Sequence, residues 1–269
     1  MNDNYRNFFG FQSEPFPPDI DAGDILETKQ VVGTRNRFDY AVNLGGVAVI
    51  TGEIGSGKTT ALRFAISKLH PSSYRTFYIT ATTGSILELY RLFLNELGIE
   101  VASHSRAGMV KRIKAEILEI SRSKKIKTIV VIDEASLLRL EVFGELHTLC
   151  QFEMDTKPFL PMILVGQSNL IDKLRYPGSK PLASRVVGRG HLEGGDRKLM
   201  ELYLMHHLNL AGIESQLFDE SAVTAIHQGS AGVFRKANNL ARGSLIAAAK
   251  RKTTTVTADH VRLASTEIF

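Results

Sequence analysis

The sequence predicts an α/β fold with a parallel sheet flanked by helices, followed by a small all-α domain. In residues 47–192, short apolar runs alternate with segments of helical periodicity, which is the pattern of consecutive strand–helix–strand units. From about residue 196 the apolar runs stop and only helical periodicity remains. We therefore expect an α/β domain over residues 1–194 and a helical domain over residues 195–269.

Three continuous apolar runs predict central strands, because a parallel strand covered by helices on both faces has no polar side. Two further segments are weaker strand candidates, since they are rich in β-branched or aromatic residues without a continuous apolar run. The three central strands are predicted over 47–50, 128–132 and 160–165, and the two others over 74–80 and 186–192.

Helical periodicity fills the segments between and after these strands. Asp219 and Thr257 stand directly before two of the helical patterns, and their side chains suit the N-cap position. The helices are predicted over 34–44, 85–97, 106–121 and about 138–154, and then over 196–210, 219–228, 233–250 and 257–267.

A glycine-punctuated loop connects the first strand to a helical pattern. It has the form G-x-x-x-x-G-K-[ST] in the strand–loop–helix context of a phosphate-binding loop. Its glycines allow backbone N–H groups to point at an anion at the positive end of the next helix. We expect Lys58 to reach the β- and γ-phosphates of a nucleotide and Thr59 to bind Mg²⁺. The predicted binding residues are Gly52, Glu53, Ile54, Gly55, Ser56, Gly57, Lys58, Thr59 and Thr60.

Two acidic residues follow the buried strand at 128–132. Asp133, at its carboxyl end, is predicted to hold Mg²⁺ through a water molecule, as a Walker B aspartate does. Glu134 is then the predicted general base that orients and deprotonates the attacking water. The alternative is a solvated turn, but the apolar strand and the upstream phosphate loop favour catalysis. The pair indicates ATP hydrolysis, since a pure switch protein need not keep the glutamate.

Other polar residues are candidates for sensing or neutralising the γ-phosphate. Gln167 follows the strand at 160–165 and is either a γ-phosphate sensor or an ordinary loop residue. Phosphoryl transfer needs positive charge on the γ-phosphate, and Arg185 is the candidate arginine finger acting on a neighbouring subunit. Arg189 and Arg175 compete for that role, and each could equally be a solvated charge. Arg235, after a glycine turn, is the candidate lid arginine.

Composition limits the class of protein and its compartment. The chain of 269 residues has 43% hydrophobic and 23% charged residues, which indicates a globular protein. Its single cysteine, Cys150, excludes an internal disulfide and fits a reducing compartment. No secretion signal and no apolar run long enough to span a bilayer is present, so the expected location is cytoplasmic with no membrane partner. A net charge of +5 favours a polyanionic partner.

The N-terminal residues 5–18 are aromatic and proline-rich and have no periodicity. Aromatic side chains in such a segment either pack the chain onto a core or line an adenine pocket, since an apolar slot suits a purine face. The sequence leaves both alternatives open.

The sequence resembles AAA+ ATPases of the ExeA/GspA type. The resemblance is carried by residues 5–16, the phosphate loop, Ile132–Ala135, Leu164–Gln167 and Arg235 with Asn238-Asn239-Leu240. It implies the AAA+ P-loop NTPase fold with a helical lid, and ATP and Mg²⁺ as cofactors. It also implies assembly into a ring or filament with ATP at the subunit joint. The chain departs from the family at Ser136, where glutamine is usual, at Ser168-Asn169, where proline and glutamate are usual, and at Phe234, where proline is usual.

Two functional classes are compatible with this resemblance. One is a transposition helper that, like MuB, TnsC and IstB, binds duplex DNA and directs a transposase. The other is a secretion ATPase, which we would expect to carry a membrane helix and a peptidoglycan-binding module; the sequence reaches Ile268-Phe269 with neither. A non-hydrolysing scaffold is a third alternative. We favour the helper, because three basic clusters suit a DNA backbone. The alternative for each cluster is a solvated face. The clusters are Lys111/Arg112/Lys114, Arg122/Lys124/Lys125/Lys127 and Lys250/Arg251/Lys252.

Overall fold

A computed structural model describes residues 3–100 and 105–267, and the chain divides into two units. The first unit consists of Met1–Leu26, Glu53–Gly57 and Glu193–Phe269, and the second of Glu27–Gly52 and Lys58–Leu192. The N-terminal segment thus groups with the C-terminal helices, whereas the sequence analysis assigned it to residues 1–194. The predicted boundary between residues 194 and 195 stays a prediction.

Five strands of the second unit form one sheet in which every recorded pairing is parallel. The spatial order is β2-β3-β4-β1-β5, so β4 lies between β1 and β3. The carboxyl ends of β1, β3 and β4 therefore stand side by side at one edge, where open α/β sheets bind their ligands. The strands are β1 (Val47–Gly52), β2 (Tyr74–Thr80), β3 (Lys127–Asp133), β4 (Met162–Gly166) and β5 (Val186–Leu192).

The three central strands confirm the prediction from apolar runs. Every residue of β1 and β4 is buried, and so is every residue of β3 except Lys127. Strand β4 begins at Met162, two residues later than predicted. Pro161 lies before it and has no N–H to donate to a neighbouring strand.

Seven helices of the second unit lie between or beside the strands. Helix α2 begins five residues before its predicted start, because Thr28 caps it by accepting a hydrogen bond from Val31 N at 3.2 Å. Helix α6 is shorter than predicted, and after it Glu153, Met154 and Asp155 have left-handed φ values that cannot continue a helix. The helices are α2 (Lys29–Leu44), α3 (Lys58–Ser67), α4 (Ile86–Glu96), α5 (Arg106–Arg122), α6 (Leu140–Leu149), α7 (Asn169–Arg175) and α8 (Lys180–Ala183).

The sheet of the second unit is covered on both faces. Side chains alternate between the faces of a strand, and Val47 and Val49 of β1 join a core with residues of α4, α5 and α6. Helix α2 contacts α3, β1 and β5. Burial on both faces is the reason that β1, β3 and β4 contain almost only apolar residues.

The first unit is helical, and its core contains residues from both ends of the chain. Tyr5, Phe11 and Phe16 are buried with side chains of the C-terminal helices. Of the two alternatives for the N-terminal segment, packing onto a core is therefore confirmed. Part of this segment is helical, although the sequence showed no period there. The helices are α1 (Asp3–Phe9), α9 (Arg197–Leu210), α10 (Glu220–Ser230), α11 (Phe234–Lys250) and α12 (Ala258–Glu267).

Side chains cap the helices of the first unit as their polar chemistry predicts. Asp219 Oδ1 accepts from Ala222 N at 2.7 Å, which confirms it as an N-cap. At α12 the ring of His260 accepts from Thr257 N at 3.1 Å, so His260 satisfies the donor of the residue that was predicted to be the cap. None of the helices in the described ranges combines the length and the apolar character needed to cross a lipid bilayer.

Candidate functional site

The phosphate loop follows β1 with a backbone that requires glycine. Gly55 and Gly57 have φ values of 83° and 95°, a region that glycine adopts without steric cost. Ser56 N donates to Glu53 O at 3.1 Å, which closes a tight turn. The buried Ser56 Oγ has no hydrogen-bond partner within the described ranges. The loop leads into the N-terminus of α3, so it offers backbone and hydroxyl donors to a phosphate.

Lys58 is held by the carbonyl group at the end of β1. It is the first residue of α3, it is buried, and its Nζ donates to Gly52 O at 2.9 Å. A buried ammonium group must keep acceptors around it. The carbonyl of Gly52 provides one of them and holds the charge where the loop curves.

Asp133, at the carboxyl end of β3, accepts hydrogen bonds on both carboxylate oxygens. Thr59 Oγ1 donates to Oδ2 at 3.0 Å, and Glu134 N donates to Oδ1 at 2.8 Å. The Tyr78 hydroxyl also donates to Oδ2. The hydroxyl of Thr59 and the carboxylate of Asp133 are hard oxygen ligands, so this pair fits Mg²⁺. No group of three or more His, Cys, Asp or Glu residues that could hold a metal occurs in the part of the chain that the structure describes.

Tyr78 was missed by the sequence analysis. It lies on β2 opposite Val131 of β3, and its side chain reaches Asp133 two residues further along the neighbouring strand. Burial, followed by the hydrogen bond to Asp133, raises the pKa of Tyr78, so it remains a donor at neutral pH. The available signal was that Tyr78 lies near the end of a predicted strand. To use it, one would have needed to know that this strand pairs with the strand that ends in Asp133.

Glu134 adopts a backbone conformation that is unusual for a residue with a side chain. Its φ and ψ are 52° and 31°, in the left-handed region, which costs roughly 1–2 kcal/mol for a non-glycine residue. Such a conformation persists when the surroundings determine it. Here Glu134 N is bound by Asp133, and Glu134 O accepts from Leu137 N at 2.8 Å. The side chain of Glu134 is half-buried.

Gln167 directly follows β4, the strand between β1 and β3. Its half-buried side chain therefore starts at the same edge of the sheet as Asp133 and Glu134. Its backbone N donates to Ser136 Oγ at 3.3 Å. This placement agrees with the position expected for a γ-phosphate sensor, while the role itself stays a prediction.

Arg185 lies at the amino-terminal ends of the strands, opposite the carboxyl ends where Asp133 and Gln167 stand. Its carbonyl accepts from Val47 N at 2.9 Å, at the amino end of β1. Five residues of strand separate that point from Gly52, a length of about 16 Å at the usual rise. The guanidinium forms an ion pair with Asp155, and Arg185 Nε donates to His147 Nδ1 at 3.2 Å. The hydrogen bond from Arg185 lowers the pKa of Asp155.

Arg185 is therefore not brought to the Thr59–Asp133 pair of its own chain, and its role as a finger on a neighbouring subunit stays a prediction. Of the competing arginines, Arg175 pairs with Asp172 at 3.2 Å on the surface, and Arg189 is exposed on β5.

Arg235 lies next to the phosphate loop within the first unit. Its backbone N donates to Gly55 O at 3.2 Å. A Cβ added to Gly55 would lie 2.7 Å from Arg235 Cβ, so a side chain at position 55 would clash with it. Phe234 packs its ring 4.6 Å from that of Tyr203 and anchors the start of α11. The Arg235 side chain is exposed.

Some residues of the basic clusters make hydrogen bonds, ion pairs or ring contacts within the chain. Lys114 Nζ donates to Thr148 O and Gln151 O, both at 2.8 Å. Arg122 pairs with Glu153, and Lys127 lies 5.9 Å from the ring centroid of Tyr74. The remaining members are exposed, namely Lys111, Arg112, Lys124, Lys125, Lys250, Arg251 and Lys252.

Comparisons with known proteins agree with this geometry. Residues 42–174 match the family model described as AAA domain. The chain is 26% identical over 265 residues to general secretion pathway protein A of Aeromonas hydrophila, which covers 98% of this chain and 48% of that protein. The chain thus spans about half the length of this curated relative.

Solved structures share the fold at low sequence identity. Cdc6p from Pyrobaculum aerophilum has a TM-score of 0.72 at 16% identity, covering 95% of this chain and 70% of that one. The ORC1 protein of Aeropyrum pernix, solved in complex with DNA, has a TM-score of 0.72 at 17% identity, covering 96% and 70%. The predicted α/β P-loop fold is confirmed.

Proposed function

Because residues 42–174 carry an AAA domain within the fold of AAA+ P-loop ATPases, we propose that this protein hydrolyses ATP in a Mg²⁺-dependent reaction. The observation that carries the proposal is the 3.0 Å hydrogen bond between Thr59 Oγ1 and Asp133 Oδ2. Two hard oxygen ligands meet there, and the backbone N of Glu134 donates to the other carboxylate oxygen of Asp133. A structural turn would need no such arrangement at the end of a buried strand.

Each residue then has a distinct role in the reaction. The N–H groups of Gly52–Thr60 and the ammonium of Lys58 bind the phosphates, and Thr59 and Asp133 orient the metal. Bound Mg²⁺ would neutralise charge on the β- and γ-phosphates. Glu134 orients the attacking water and takes its proton. Gln167 senses the γ-phosphate, and Arg235, whose backbone N donates to Gly55 O of the phosphate loop, is the proposed lid arginine.

Replacing Glu134 with glutamine tests this proposal. Glu134→Gln keeps the shape and removes the base, so we expect hydrolysis to fall about 100-fold or more while ATP still binds. The matched control is Glu141→Gln, on the exposed first turn of α6, which should hydrolyse ATP as the wild type does. Undetectable turnover by the wild type with Mg²⁺ and ATP would favour a non-hydrolysing scaffold and refute the proposal.

The proposal extends to assembly into a ring or filament in which Arg185 acts on the ATP of a neighbouring subunit. Its position at the sheet edge opposite the phosphate loop supports this role, since it cannot serve its own site. Its ion pair with Asp155 would have to open on assembly. Mixing Arg185→Ala subunits with Glu134→Gln subunits should restore some hydrolysis, because a joint in which the ATP site of an Arg185→Ala subunit faces a Glu134→Gln neighbour combines an intact glutamate with an intact arginine. Absence of any recovery would contradict action in trans.

The client we propose is duplex DNA, with the protein acting as a transposition helper for a transposase. Support comes from the net charge of +5, from the exposed residues Lys111, Arg112 and Lys250–Lys252, and from a similar fold solved in complex with DNA. Binding through phosphates predicts a steep loss of affinity with salt. ATP-dependent binding to duplex DNA and DNA-stimulated hydrolysis are the expected results, and the absence of both at moderate salt would refute this client.

A second candidate is a role in secretion, and the similarity to general secretion pathway protein A favours it. That relative is about twice as long, so its activity as a whole does not transfer directly. The same assay separates the two candidates. Hydrolysis that is insensitive to DNA but stimulated by isolated cell-wall peptidoglycan would favour secretion, whereas stimulation by DNA alone would favour the helper.

A further inference from the structure

The segments that follow β3 and β4 touch each other beside the proposed site. After Glu134 the chain forms a short 3₁₀ turn, Ala135–Leu137. Gly166 ends β4 so close to this turn that an added Cβ would lie 2.9 Å from Ser136 N. Gln167 N donates to Ser136 Oγ at 3.3 Å. Ser136 thus links the residue proposed as base to the residue proposed as sensor.

One lysine joins the same two segments. Lys173 is on α7, which begins two residues after Gln167. Its Nζ donates to Ser136 O at 2.6 Å and to Leu138 O at 2.7 Å, so it holds the carbonyls at the end of the turn. Carbonyls at the end of a helical turn carry partial negative charge, and a hydrogen bond from an ammonium to them is charge-assisted.

Glu134 needs such support, because its left-handed backbone is not a conformation that its own side chain favours. Its N–H and its carbonyl are bound, and Lys173 fixes the turn into which its carbonyl points. Without the ammonium, the carbonyls of Ser136 and Leu138 lose a shared donor. The turn, and with it the carboxylate of Glu134, could then relax away from Asp133.

We propose that Lys173 is a positioning residue that clamps the turn after Glu134 and so holds Glu134 and Gln167 in one fixed arrangement. This inference rests on the proposed hydrolysis of ATP. Lys173 acts through the backbone of Ser136 and Leu138, and its recorded hydrogen bonds within the described residues are to these two carbonyls and not to residues that we assign to phosphate or metal. Its loss should therefore affect the hydrolytic step and leave nucleotide binding in place.

The test compares Lys173→Met, which keeps the stem and removes the ammonium, with Lys173→Arg, whose guanidinium can still donate to two carbonyls. Lys180→Met is the matched control, because Lys180 is exposed on the neighbouring helix α8. For each full-length variant we would measure kcat and KM for ATP, the affinity for a fluorescent ATP analogue, and the apparent melting temperature.

We expect Lys173→Met to lower kcat about tenfold or more, since small misplacements of a catalytic group have effects of this size. Analogue affinity should stay within about threefold of the wild type, which is the signature of a contribution made after binding. Lys173→Arg should recover most of kcat, and Lys180→Met should match the wild type.

Three results would overturn the clamp. They are an unchanged kcat in Lys173→Met, a parallel loss of analogue binding or folding, or an arginine variant no better than methionine. A wild-type protein that binds the analogue but does not hydrolyse ATP would refute the proposed function first, and the clamp with it, so the two failures are distinguishable.

Discussion

Tyr78 of β2 donates its hydroxyl proton to the carboxylate of Asp133 at the end of β3. The same oxygen accepts from Thr59 Oγ1. A residue on a third element therefore helps orient the carboxylate that we propose as a metal ligand. Groups that support a metal ligand in this way commonly tune metal affinity as well as geometry.

Removing the Tyr78 hydroxyl should weaken the site without abolishing it. We expect Tyr78→Phe to lower stability by about 1 kcal/mol, which is less than is usual for a bond to a charged group, because the side chain is partly exposed. Mg²⁺-dependent ATP affinity should fall several-fold, whereas ATP binding in EDTA should not change. Titrating both variants with a fluorescent ATP analogue checks this. Tyr74→Phe, on the same strand, is the control, and an equal effect from it would contradict a specific role for Tyr78.

Removing the Lys58 ammonium should abolish tight nucleotide binding. We expect Lys58→Ala to lower ATP affinity about tenfold or more, or about 1.4 kcal/mol and above, because the buried ammonium is held by the carbonyl of Gly52, the residue with which the phosphate loop begins. Isothermal titration with ATP measures the change. Lys68→Ala is the comparison, since Lys68 lies just after α3 and is exposed. If both variants bind like the wild type, the loop does not hold phosphate.

A methyl group at position 166 should disturb the junction between β4 and the turn after Glu134. The added Cβ of Gly166→Ala would meet Ser136 N at 2.9 Å, a backbone atom that cannot rotate away. Overpacking of this kind costs about 1–3 kcal/mol. Urea unfolding should show the loss. Gly178→Ala should leave stability nearly unchanged, because no atom lies within 4 Å of its added Cβ.

Stability of the helical unit should decrease below neutral pH because of His207. Its burial lowers the pKa of His207 from 6.5 to about 4, and its Nδ1 lies 3.0 Å from Pro15 O. The neutral, buried ring of His207 contributes its full stabilisation above pH 6.5, where it is unprotonated in both the folded and the unfolded chain. This contribution is lost as the pH falls toward 4, because only the unfolded chain gains a proton in that range. The free energy of unfolding that is lost over this pH range amounts to about 3 kcal/mol.

Urea midpoints and hydrogen exchange of α9, measured at pH 7.5 and pH 5, would test this dependence. His207→Gln should lower stability at neutral pH but flatten the change between the two pH values. His70→Gln, at an exposed position of the second unit, should keep the wild-type dependence. A His207→Gln protein with an unaltered pH dependence would show that another group is responsible.

The strand pattern and the order of motifs were readable from the sequence because both are local. Apolar runs over 128–132 and 160–165 are long enough to identify buried strands, and Gly52–Thr60 has a spacing that few other loops share. Helix α7 and the 3₁₀ turn after Glu134 were missed, because segments of three to seven residues carry too little periodicity to be recognised. The helical nature of α1 was missed because its aromatic residues show no amphipathic period.

The sequence by itself determined which residues are candidates for phosphate and metal chemistry, since Lys58, Thr59, Asp133 and Glu134 occur in motifs whose chemistry is set by local backbone and residue type. Only the tertiary structure decided which distant side chains support them. Tyr78 reaches Asp133 because β2 pairs with β3 in one register. Lys173 reaches the turn after Glu134 because β4 lies next to β3. Arg185 is kept away because it precedes β5, at the amino-terminal ends of the strands. These relationships depend on strand order and register, which arise from long-range packing that no local pattern encodes.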